Sequence, residues 1–578
     1  MAGTILTPIT LWKDFEINAI PQAEIVFEKK EGDVEFKKIY LDGRVTSEGQ
    51  VKIFAILAKN VKSKSAPAVL LVQDFETGMD ERIIKDLASR GYIVLAIDLA
   101  GRMEDKENYT VYPEELSYAE YQNAVKGFSI HEGESNMGLY DVLDEGGVDQ
   151  TCWYEWTAVC KYALCYLKNL PFVNRIGGFG IAEAATVLWQ VAATENTLDC
   201  AVFALNAGWV GYRGIDKFAG TVEPQFSDNM YKILAGVEPQ AYAMHVKCPV
   251  LMLSATNSSQ FSCDRAYDTV SRVESDVYKA VHYSTNYRDR ISGEGYQDLL
   301  YFFNEILIKG GNGKDALPDE MDIKCDIVDG RILATVTPDL KGLKKIRLFV
   351  AEETVDPSLR AWKRVSKYQK DKDSYLFEYL PYPESNIVTM FAKADYENGF
   401  VIVSNIIAKR FTPEEITGSF KSKIIYSSRI KDSDSIFTAE NQSGNDPCHV
   451  NIFGRKRVKV KKGPMGIEGV CCEFGLLTFK VNASTDKPND GAMLMFDVYS
   501  PENNTVTVKL IADYFGKRTE YQVSSLIRGG EVWYNIKLEQ NKFKTAEGMA
   551  LRSFDKVNAI AFVSDDGKEF IINNALWV

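Results

Sequence analysis

The sequence predicts a multidomain protein in which an α/β part is followed by two all-β parts. Its 578 residues exceed what one domain of about 150 residues holds. Up to about residue 310, short apolar runs alternate with longer segments of helical period, and beyond that point only short alternating strands recur. With 46% hydrophobic and 25% charged residues, the chain has the composition of globular domains that bury their own cores.

The α/β part opens with two runs that alternate in period two, at residues 34–40 and 51–59, and these predict an antiparallel pair. Continuous apolar runs then predict strands buried on both faces of a parallel sheet, at residues 68–73, 92–98, 175–179, 201–206, 250–255 and 277–283. Segments of helical period accompany them, at residues 80–90, 151–169, 182–193, 264–273 and 296–308. This order predicts a doubly wound sheet over residues 1–310, with an N-terminal β-extension and an insertion near 103–150.

The two all-β parts follow a Gly-rich linker, GGNGKDALPDE, at residues 310–320. Residues 311–412 carry short strands broken by turn residues at intervals of about ten, a spacing typical of an immunoglobulin-like β-sandwich. Residues 413–578 carry a further set of strands that predicts a jelly-roll β-sandwich. Within it, the basic run RKRVKVKK at 455–462 is either a lysine-guarded edge strand or a site for an anionic ligand or an acidic subunit.

Composition excludes several classes of function. A net charge of −13 without a basic domain argues against nucleic acid as a partner, because phosphate binding needs a clustered positive surface. No window approaches about 18 uninterrupted apolar residues and the first residues lack a signal-peptide pattern, so we expect a cytoplasmic protein without a membrane span. The ten cysteines have neither disulfide-framework nor zinc-site spacing, so we expect free thiols, no metal and no other cofactor.

The segment RIGGFGIAEAATVLW, at residues 175–189, has the form of a strand, a tight turn and a helix. A nucleophile elbow, G-x-S-x-G, has the same form, and here its register reads GIAEA at residues 180–184. A helical stretch at 158–171 and the turn DLAG at 98–101 precede it in the expected order. On these residues, the region from 34 to 310 resembles the α/β-hydrolase superfamily, in particular bacterial esterases of the acetyl-xylan-esterase-like type.

The resemblance implies three catalytic positions that carry unsuitable side chains here. It places Ala182 at the nucleophile, Ser258 at the acid in the turn SATNS, and Tyr287 at the base in the loop YSTNYR. A methyl group cannot attack an ester, and a neutral hydroxyl cannot charge-stabilise an imidazole. A phenol with a pKa of about 10 is a poor general base near neutral pH.

The implied oxyanion loop reads Gln73, Asp74 and Phe75, and a carboxylate there would oppose the negative charge of an acyl-transfer intermediate. His282 stands inside the last predicted strand of the sheet, where we expect a core histidine. None of the histidines stands at the implied base position; they are His131, His245, His282 and His449.

These substitutions favour a pseudoesterase, a catalytically inactive hydrolase-like protein that acts by binding or as a structural protein that self-assembles into a homo-oligomer or filament. The alternative is an active carbohydrate esterase with an unrecognised nucleophile and a carbohydrate-binding module. Glu183, beside the elbow, is a candidate to bind a cation or a hydroxyl-rich ligand, or else a solvated glutamate that the helix dipole favours.

The C-terminal segments GEVWYNIKLEQNKFK and FDKVNAIAFVSDDGKEFIINNALWV resemble those of jelly-roll, carbohydrate-binding-like modules. The resemblance implies a carbohydrate ligand held by exposed aromatic residues. Trp533 stands where such sandwiches also carry a structural tryptophan, so a core role is the alternative for it. The candidates are Tyr499, Tyr514, Phe515, Trp533 and Tyr534.

Overall fold

The computed structural model describes the chain in segments, and every structural feature given below lies within them. They are residues 5–73, 78–101, 107–124, 138–140, 147–220, 224–365, 368–381, 385–417, 423–429, 433–439, 453–454, 458–472 and 475–578.

The described strands of the α/β part form one nine-stranded sheet with the order β1-β2-β3-β5-β4-β6-β7-β8-β9. The pairs from β1 to β3 and the pair β3–β5 are antiparallel, whereas the strands from β5 to β9 along this order are parallel. The strands are β1 (Ala23–Glu31), β2 (Val34–Val45), β3 (Gln50–Asn60), β4 (Ala66–Val72), β5 (Ile93–Ile97), β6 (Val173–Ile181), β7 (Cys200–Ala204), β8 (Val250–Ala255) and β9 (Lys279–Ser284).

Helices cover both faces of this sheet, and each face has its own apolar cluster. One cluster contains Trp153 and Trp156 of α4 and Trp189 of α5, while the other contains Ile84 of α2 and Phe302 of α9. The helices are α1 (Pro8–Trp12), α2 (Glu81–Ser89), α3 (Tyr121–Ala124), α4 (Cys152–Lys168), α5 (Ala184–Thr194), α6 (Asp228–Gly236), α7 (Pro239–Tyr242), α8 (Cys263–Val270) and α9 (Gly293–Phe303). The predicted doubly wound sheet is confirmed.

A middle β-part follows, and its strands form two sheets within the described residues, β11-β12-β16-β15 and β14-β13-β17-β18, with β19 paired to β17. The strands are β11 (Asp322–Val328), β12 (Arg331–Thr337), β13 (Leu343–Glu352), β14 (Lys363–Val365), β15 (Gln369–Asp371), β16 (Ser374–Tyr379), β17 (Ile387–Tyr396), β18 (Val401–Val403) and β19 (Ile407–Arg410). Before it, β10 (Ile291–Ser292) pairs in parallel with β22 (Phe453–Gly454).

The C-terminal β-part also has two main sheets in the described residues, β23-β24-β31-β26-β29, with β20 paired to β31, and β21-β25-β30-β27-β28. The strands are β20 (Ile424–Ser427), β21 (Phe437–Thr438), β23 (Lys459–Lys462), β24 (Glu468–Cys472), β25 (Gly475–Thr478), β26 (Met493–Tyr499), β27 (Asn504–Ala512), β28 (Thr519–Ile527), β29 (Tyr534–Glu539), β30 (Val557–Ser564) and β31 (Phe570–Trp577).

The predicted fold class, an α/β sheet followed by β-rich parts, is confirmed, while the boundaries at 310 and 412 stay predictions. Sequence patterns missed β1, because its residues are mostly exposed on both sides and show no alternation. Part of the predicted basic strand, Lys459–Lys462, is the terminal strand β23 of its sheet, and residues 455–457 lie outside the described segments. The described cysteines are free, and no described helix has both the length and the apolar character needed to cross a membrane.

Candidate functional site

The elbow (residues 180–184) joins β6 to α5 by a strained turn. Ala182 has a φ of 53°, in the left-handed region that residues other than glycine rarely adopt. Its N–H donates to the carbonyl of Ala204 on β7 at 3.0 Å. Gly180 is needed before the turn, because a Cβ at this position would lie 2.9 Å from the Cα of Ala185. The backbone has the shape of a nucleophile elbow, and Ala182 carries a methyl group at the position that the resemblance assigns to the nucleophile.

Two neighbours of the elbow that the sequence singled out are buried. Glu183 is 9% exposed, and its Oε1 lies 3.8 Å from Nη2 of Arg213, so little of this carboxylate is open to a ligand. Gln73, in the implied oxyanion loop, accepts a hydrogen bond from the N–H of Asp80. Asp74 and Phe75 lie outside the described residues.

The implied acid and base loops meet at the end of the sheet formed by the carboxyl ends of its parallel strands. Ser258 follows β8 and Tyr287 follows β9, and the N–H of Asn257 donates to the carbonyl of Tyr287 at 2.9 Å. Ala182 follows β6, which β7 separates from β8. Since adjacent strands lie about 4.8 Å apart, β6 stands about 10 Å from β8 and about 14 Å from β9 along this end of the sheet.

The side chain of Ser258 shapes its own turn. Its Oγ donates to Oδ1 of Asp289 at 2.6 Å and accepts from the N–H of Phe261 at 3.0 Å. The half-buried Tyr287 packs against the apolar cluster that α2 and α9 share. Sequence reasoning missed Asp289, because it lies in an irregular loop and no spacing rule ties it to Ser258.

Two asparagines beside these positions connect both loops to the docking segment (residues 354–362) of the middle β-part. Nδ2 of Asn257 donates to the carbonyls of Arg360 at 2.6 Å and of Ser358 at 3.3 Å. Asn286 makes a reciprocal pair with the backbone of Trp362: its Nδ2 donates to that carbonyl and its Oδ1 accepts from that N–H, both at 3.0 Å. The loops that would carry acid and base in a hydrolase are therefore held against another part of the chain.

A buried ion pair joins α8 to the docking segment, at the junction between the α/β part and the middle β-part. The guanidinium of Arg360 donates to both carboxylate oxygens of Asp264, at 2.5 and 2.7 Å, and neither side chain is exposed to solvent. Arg360 also donates to the carbonyls of Thr354 and Val355, at 2.9 and 2.6 Å. Such two-pronged, fully satisfied pairing is what a buried guanidinium requires.

The histidine chain (Ser292, His282 and Asp298) is a second polar arrangement at this end of the sheet. Nδ1 of His282 lies 2.7 Å from Oδ2 of Asp298, and its Nε2 lies 3.3 Å from Oγ of Ser292. Burial lowers the pKa of His282 to about 3, and burial raises the pKa of Asp298 well above its usual value. The sequence of contacts is that of a Ser-His-Asp triad.

Access to the histidine chain is closed on every described side. Ser292 is 6% exposed, and His282 and Asp298 are fully buried. Ser292 caps α9 by accepting from the N–H of Gly295 at 3.1 Å, and Oδ1 of Asp298 accepts from the N–H of Val401 in β18 at 3.0 Å. Of the other histidines, His245 lies in a turn after α7, and His131 and His449 fall outside the described segments.

A cleft of about 360 Å³ opens beside Ser258. Its walls come from the loops after β7 and β8, from the docking segment, and from Phe515 of the C-terminal β-part. The charged residues that line it have both signs; they are Arg213, Arg265, Asp216 and Asp356. No group of three or more His, Cys, Asp or Glu side chains in the described segments is arranged to hold a metal ion.

Aromatic rings border the cleft as well. The guanidinium of Arg265 lies 4.4 Å from the ring centre of Tyr212, and the side chain of Phe515 is 40% exposed. Burial and the neighbouring carboxylate of Asp356 raise the pKa of Asp216. Paired donors and acceptors beside aromatic faces can hold a small molecule with several hydroxyl or amide groups.

The aromatic candidates of the C-terminal β-part fall into two places. Tyr499 and Trp533 have ring centres 5.7 Å apart, and Nε1 of Trp533 donates to the carbonyl of Pro464 at 3.2 Å. Tyr514 is buried beside Phe515 at the cleft, and the half-buried Tyr534 packs against the C-terminal core. The structure thus brings together Tyr499 with Trp533 and Tyr514 with Phe515, but not all candidates at one site.

Comparison with known proteins found similarity only at the level of structure: no family model matches the sequence, and neither does any curated protein. Acetyl xylan esterase 1 from Thermoanaerobacterium sp. JW/SL YS485 aligns with 52% of this chain and 95% of its own at 16% identity and a TM-score of 0.39. An acetyl xylan esterase from Paenibacillus sp. R4 aligns with 52% and 92%, at 14% identity and a TM-score of 0.38. A putative dienelactone hydrolase from Klebsiella pneumoniae subsp. pneumoniae MGH 78578 aligns with 43% and 87%, at 14% identity and a TM-score of 0.29.

Proposed function

We propose that this chain is a catalytically inactive α/β-hydrolase-like protein that binds a small polar ligand in the cleft beside Ser258. The proposal rests on one observation: the loops that the resemblance assigns to the acid and the base are hydrogen-bonded to the docking segment. Asn257 and Asn286 adjoin the implied acid and base, and their side chains form hydrogen bonds with the backbone of the docking segment. A hydrolase needs those loops to present a carboxylate and an imidazole to its nucleophile.

The chemistry at the three implied positions supports the same conclusion. Ala182 has no atom that can attack an acyl group, Ser258 is engaged in its turn, and Tyr287 carries a phenol. Acyl transfer by the superfamily mechanism needs a nucleophile, a base within hydrogen-bond reach of it, and a group that orients the base. We therefore assign the elbow a structural role, as the turn that connects β6 to α5.

Hydrolysis of short acyl esters tests the inactive state. We expect the full chain to release p-nitrophenol from p-nitrophenyl acetate no faster than an equal mass of a protein without esterase activity. Ala182→Ser restores the hydroxyl without a base, so we expect it to stay inactive. Turnover by the wild-type chain that a cleft or histidine-chain substitution abolishes would overturn the proposal.

An active esterase with a different nucleophile is the second candidate, and the histidine chain is the observation that favours it. Ser292 Oγ and His282 Nε2 stand 3.3 Å apart, within reach of proton transfer once the contact tightens. If this serine attacks esters, Ser292→Ala abolishes turnover, whereas Ser275→Ala, at an exposed position outside the cleft, leaves it unchanged. Its 6% exposure is the reason that we rank this candidate second.

Ligand binding is tested by calorimetric titration with neutral oligosaccharides such as xylotetraose and cellotetraose. Carbohydrates are the first class to try, because aromatic rings beside both carboxylates and guanidiniums suit the rings and hydroxyl groups of sugars. We expect dissociation constants below about 1 mM for the wild type, and we expect Phe515→Ala to raise them about tenfold. Leu526→Ala, which truncates a 70% exposed side chain outside the cleft, is the matched control. Equal affinity of the two variants would remove the cleft from the proposal.

A further inference from the structure

The two edges of the nine-stranded sheet differ in how they are covered. β9 lies against the middle β-part, where Nζ of Lys393 donates to the carbonyl of Tyr283 at 3.3 Å and the ring of Phe391 lies 5.2 Å from that of Tyr283. β1 is the opposite edge, and among the described residues it pairs with β2 alone. One side of β1 therefore presents unpaired backbone N–H and C=O groups, which can accept a further strand.

The centre of β1 is apolar and open to solvent. Ile25, Val26 and Phe27 are 53%, 43% and 48% exposed, and they follow one another in a strand of nine residues. A strand of this length spans about 30 Å. Long edge strands with exposed apolar side chains are the elements through which chains associate by strand addition.

The charges on β1 fit a second copy of β1. A bulge between Ile25 and Phe27 shifts the register, so Glu24 is paired to Tyr40, Phe27 to Lys38 and Lys29 to Phe36 of β2. Because alternate residues of β2 share a face, Glu24, Phe27 and Lys29 also share one face of β1. Within its own chain, Lys29 pairs with Glu81 at 2.7 Å and with Glu31 at 3.1 Å.

An antiparallel arrangement around a two-fold axis at Phe27 makes this pattern self-complementary. When Ile25 and Val26 count as the single bulged position, Glu24 and Lys29 stand equally far from Phe27 on its two sides. Glu24 of each copy then lies opposite Lys29 of the other, so the two-fold symmetry creates the ion pair twice. On the axis, Phe27 of one copy meets Phe27 of the other, while the bulged position of Ile25 and Val26 lies opposite Glu28.

We propose that β1 is a self-association edge, through which two copies of this chain pair antiparallel strands and extend the sheet across both copies. The partner is a second copy of the chain, since the match of Phe27 with itself and of Glu24 with Lys29 belongs to β1 itself. Self-association is independent of ligand binding and of catalysis, because β1 lies at the edge opposite to β8 and β9.

The test is the mass of the full chain in solution, measured by light scattering after size-exclusion chromatography and by sedimentation velocity between about 1 and about 100 µM. We expect a dimer whose dissociation constant rises more than tenfold in Phe27→Lys, because two lysines then meet on the axis. Leu526→Lys places the same charge on β28, the terminal strand of a C-terminal sheet, and leaves the dimer unchanged.

Glu24→Lys provides a second variant at an exposed position, in case Phe27→Lys disturbs the fold. It sets lysine against Lys29 of the other copy, and we expect a dissociation constant several-fold above that of the wild type, with unchanged circular dichroism. A wild-type chain that stays at the mass of one copy up to about 100 µM overturns the proposal. A dimer that both variants form as tightly as the wild type also overturns it.

Discussion

The elbow after β6 and the region around the ends of β8 and β9, called here the β8–β9 end, differ in what they contain. A hydrolase combines a strained nucleophile turn with a serine, histidine and aspartate in contact. The elbow has a strained backbone, with Ala182 at a φ of 53°, and a methyl group at the position that the resemblance assigns to the nucleophile. The β8–β9 end has a serine, a histidine and an aspartate in contact order, buried between α9 and the middle β-part. The first region has the backbone shape of a nucleophile elbow, and the second has Ser-His-Asp contacts that are buried.

We interpret the paired polar groups that join the loops after β8 and β9 to the docking segment as structural. A catalytic group must keep an unpaired atom for its substrate, whereas a structural group satisfies all of its partners internally. Arg360 donates hydrogen bonds to both carboxylate oxygens of Asp264. Asn286 both donates to and accepts from the backbone of Trp362. Substitutions at the two regions should therefore affect stability very differently.

The largest expected effect is at the buried ion pair. Arg360→Met keeps much of the side-chain volume and leaves Asp264 buried without its partner, so we expect the free energy of unfolding to fall by about 3–5 kcal/mol. Urea unfolding measures the loss, and hydrogen exchange of the amides at residues 354–362 should accelerate. The double variant Asp264→Leu with Arg360→Met removes both charges and should recover much of the stability. A loss below about 1 kcal/mol for Arg360→Met alone would mean that the junction is not structural.

The next largest loss of stability is expected at Gly295, which packs against Ile291 and His282. A Cβ at Gly295 would lie 2.6 Å from Cγ2 of Ile291 and 3.0 Å from Cδ2 of His282, so Gly295→Ala should cost about 1–3 kcal/mol. At Gly293, in the first turn of the same helix, an added methyl group would have no described atom within 4 Å, so Gly293→Ala should be neutral or slightly stabilising. Thermal unfolding compares the two variants. Equal effects would show that Ile291 and the ring of His282 can both move aside.

Much of the sheet was predictable from sequence, because strands buried on both faces are continuous apolar runs and the helices between them keep a helical period. β1 was not, since exposed residues on both of its faces leave no alternation to detect. The elbow was also predictable, because its turn depends on residues that are adjacent in sequence.

The contacts that define the β8–β9 end were not predictable. Arg360 and Asp264 are 96 residues apart, and Asn286 and Trp362 are 76 apart, so no local pattern links either pair. No sequence pattern indicated that His282 would meet Asp298 and Ser292, although its place inside a strand correctly predicted a core histidine. Tertiary packing alone brings these groups together.

At the elbow we expect a smaller effect of the opposite sign. Ala182→Gly relieves the left-handed backbone and removes one methyl group, so the free energy of unfolding should change by less than about 1 kcal/mol, toward higher stability. Ala185→Gly, in the helical backbone of α5, should instead lose about 1 kcal/mol or more. Chemical denaturation of both variants measures the contrast. A loss at Ala182 as large as at Ala185 would show that the elbow carries no strain.

The smallest expected change is in the protonation of His282. Burial lowers its pKa to about 3, so the fold favours the neutral ring, and that ring should stay neutral as the pH falls from about 7 to about 5. An ordinary imidazole, with a pKa of about 6.5, takes up its proton across the same range. Nitrogen chemical shifts of selectively labelled histidine follow the ring, and His282→Gln identifies its signal. A midpoint near pH 6 would mean that water reaches the histidine chain, and the serine beside it would then be a nucleophile with both a base and access.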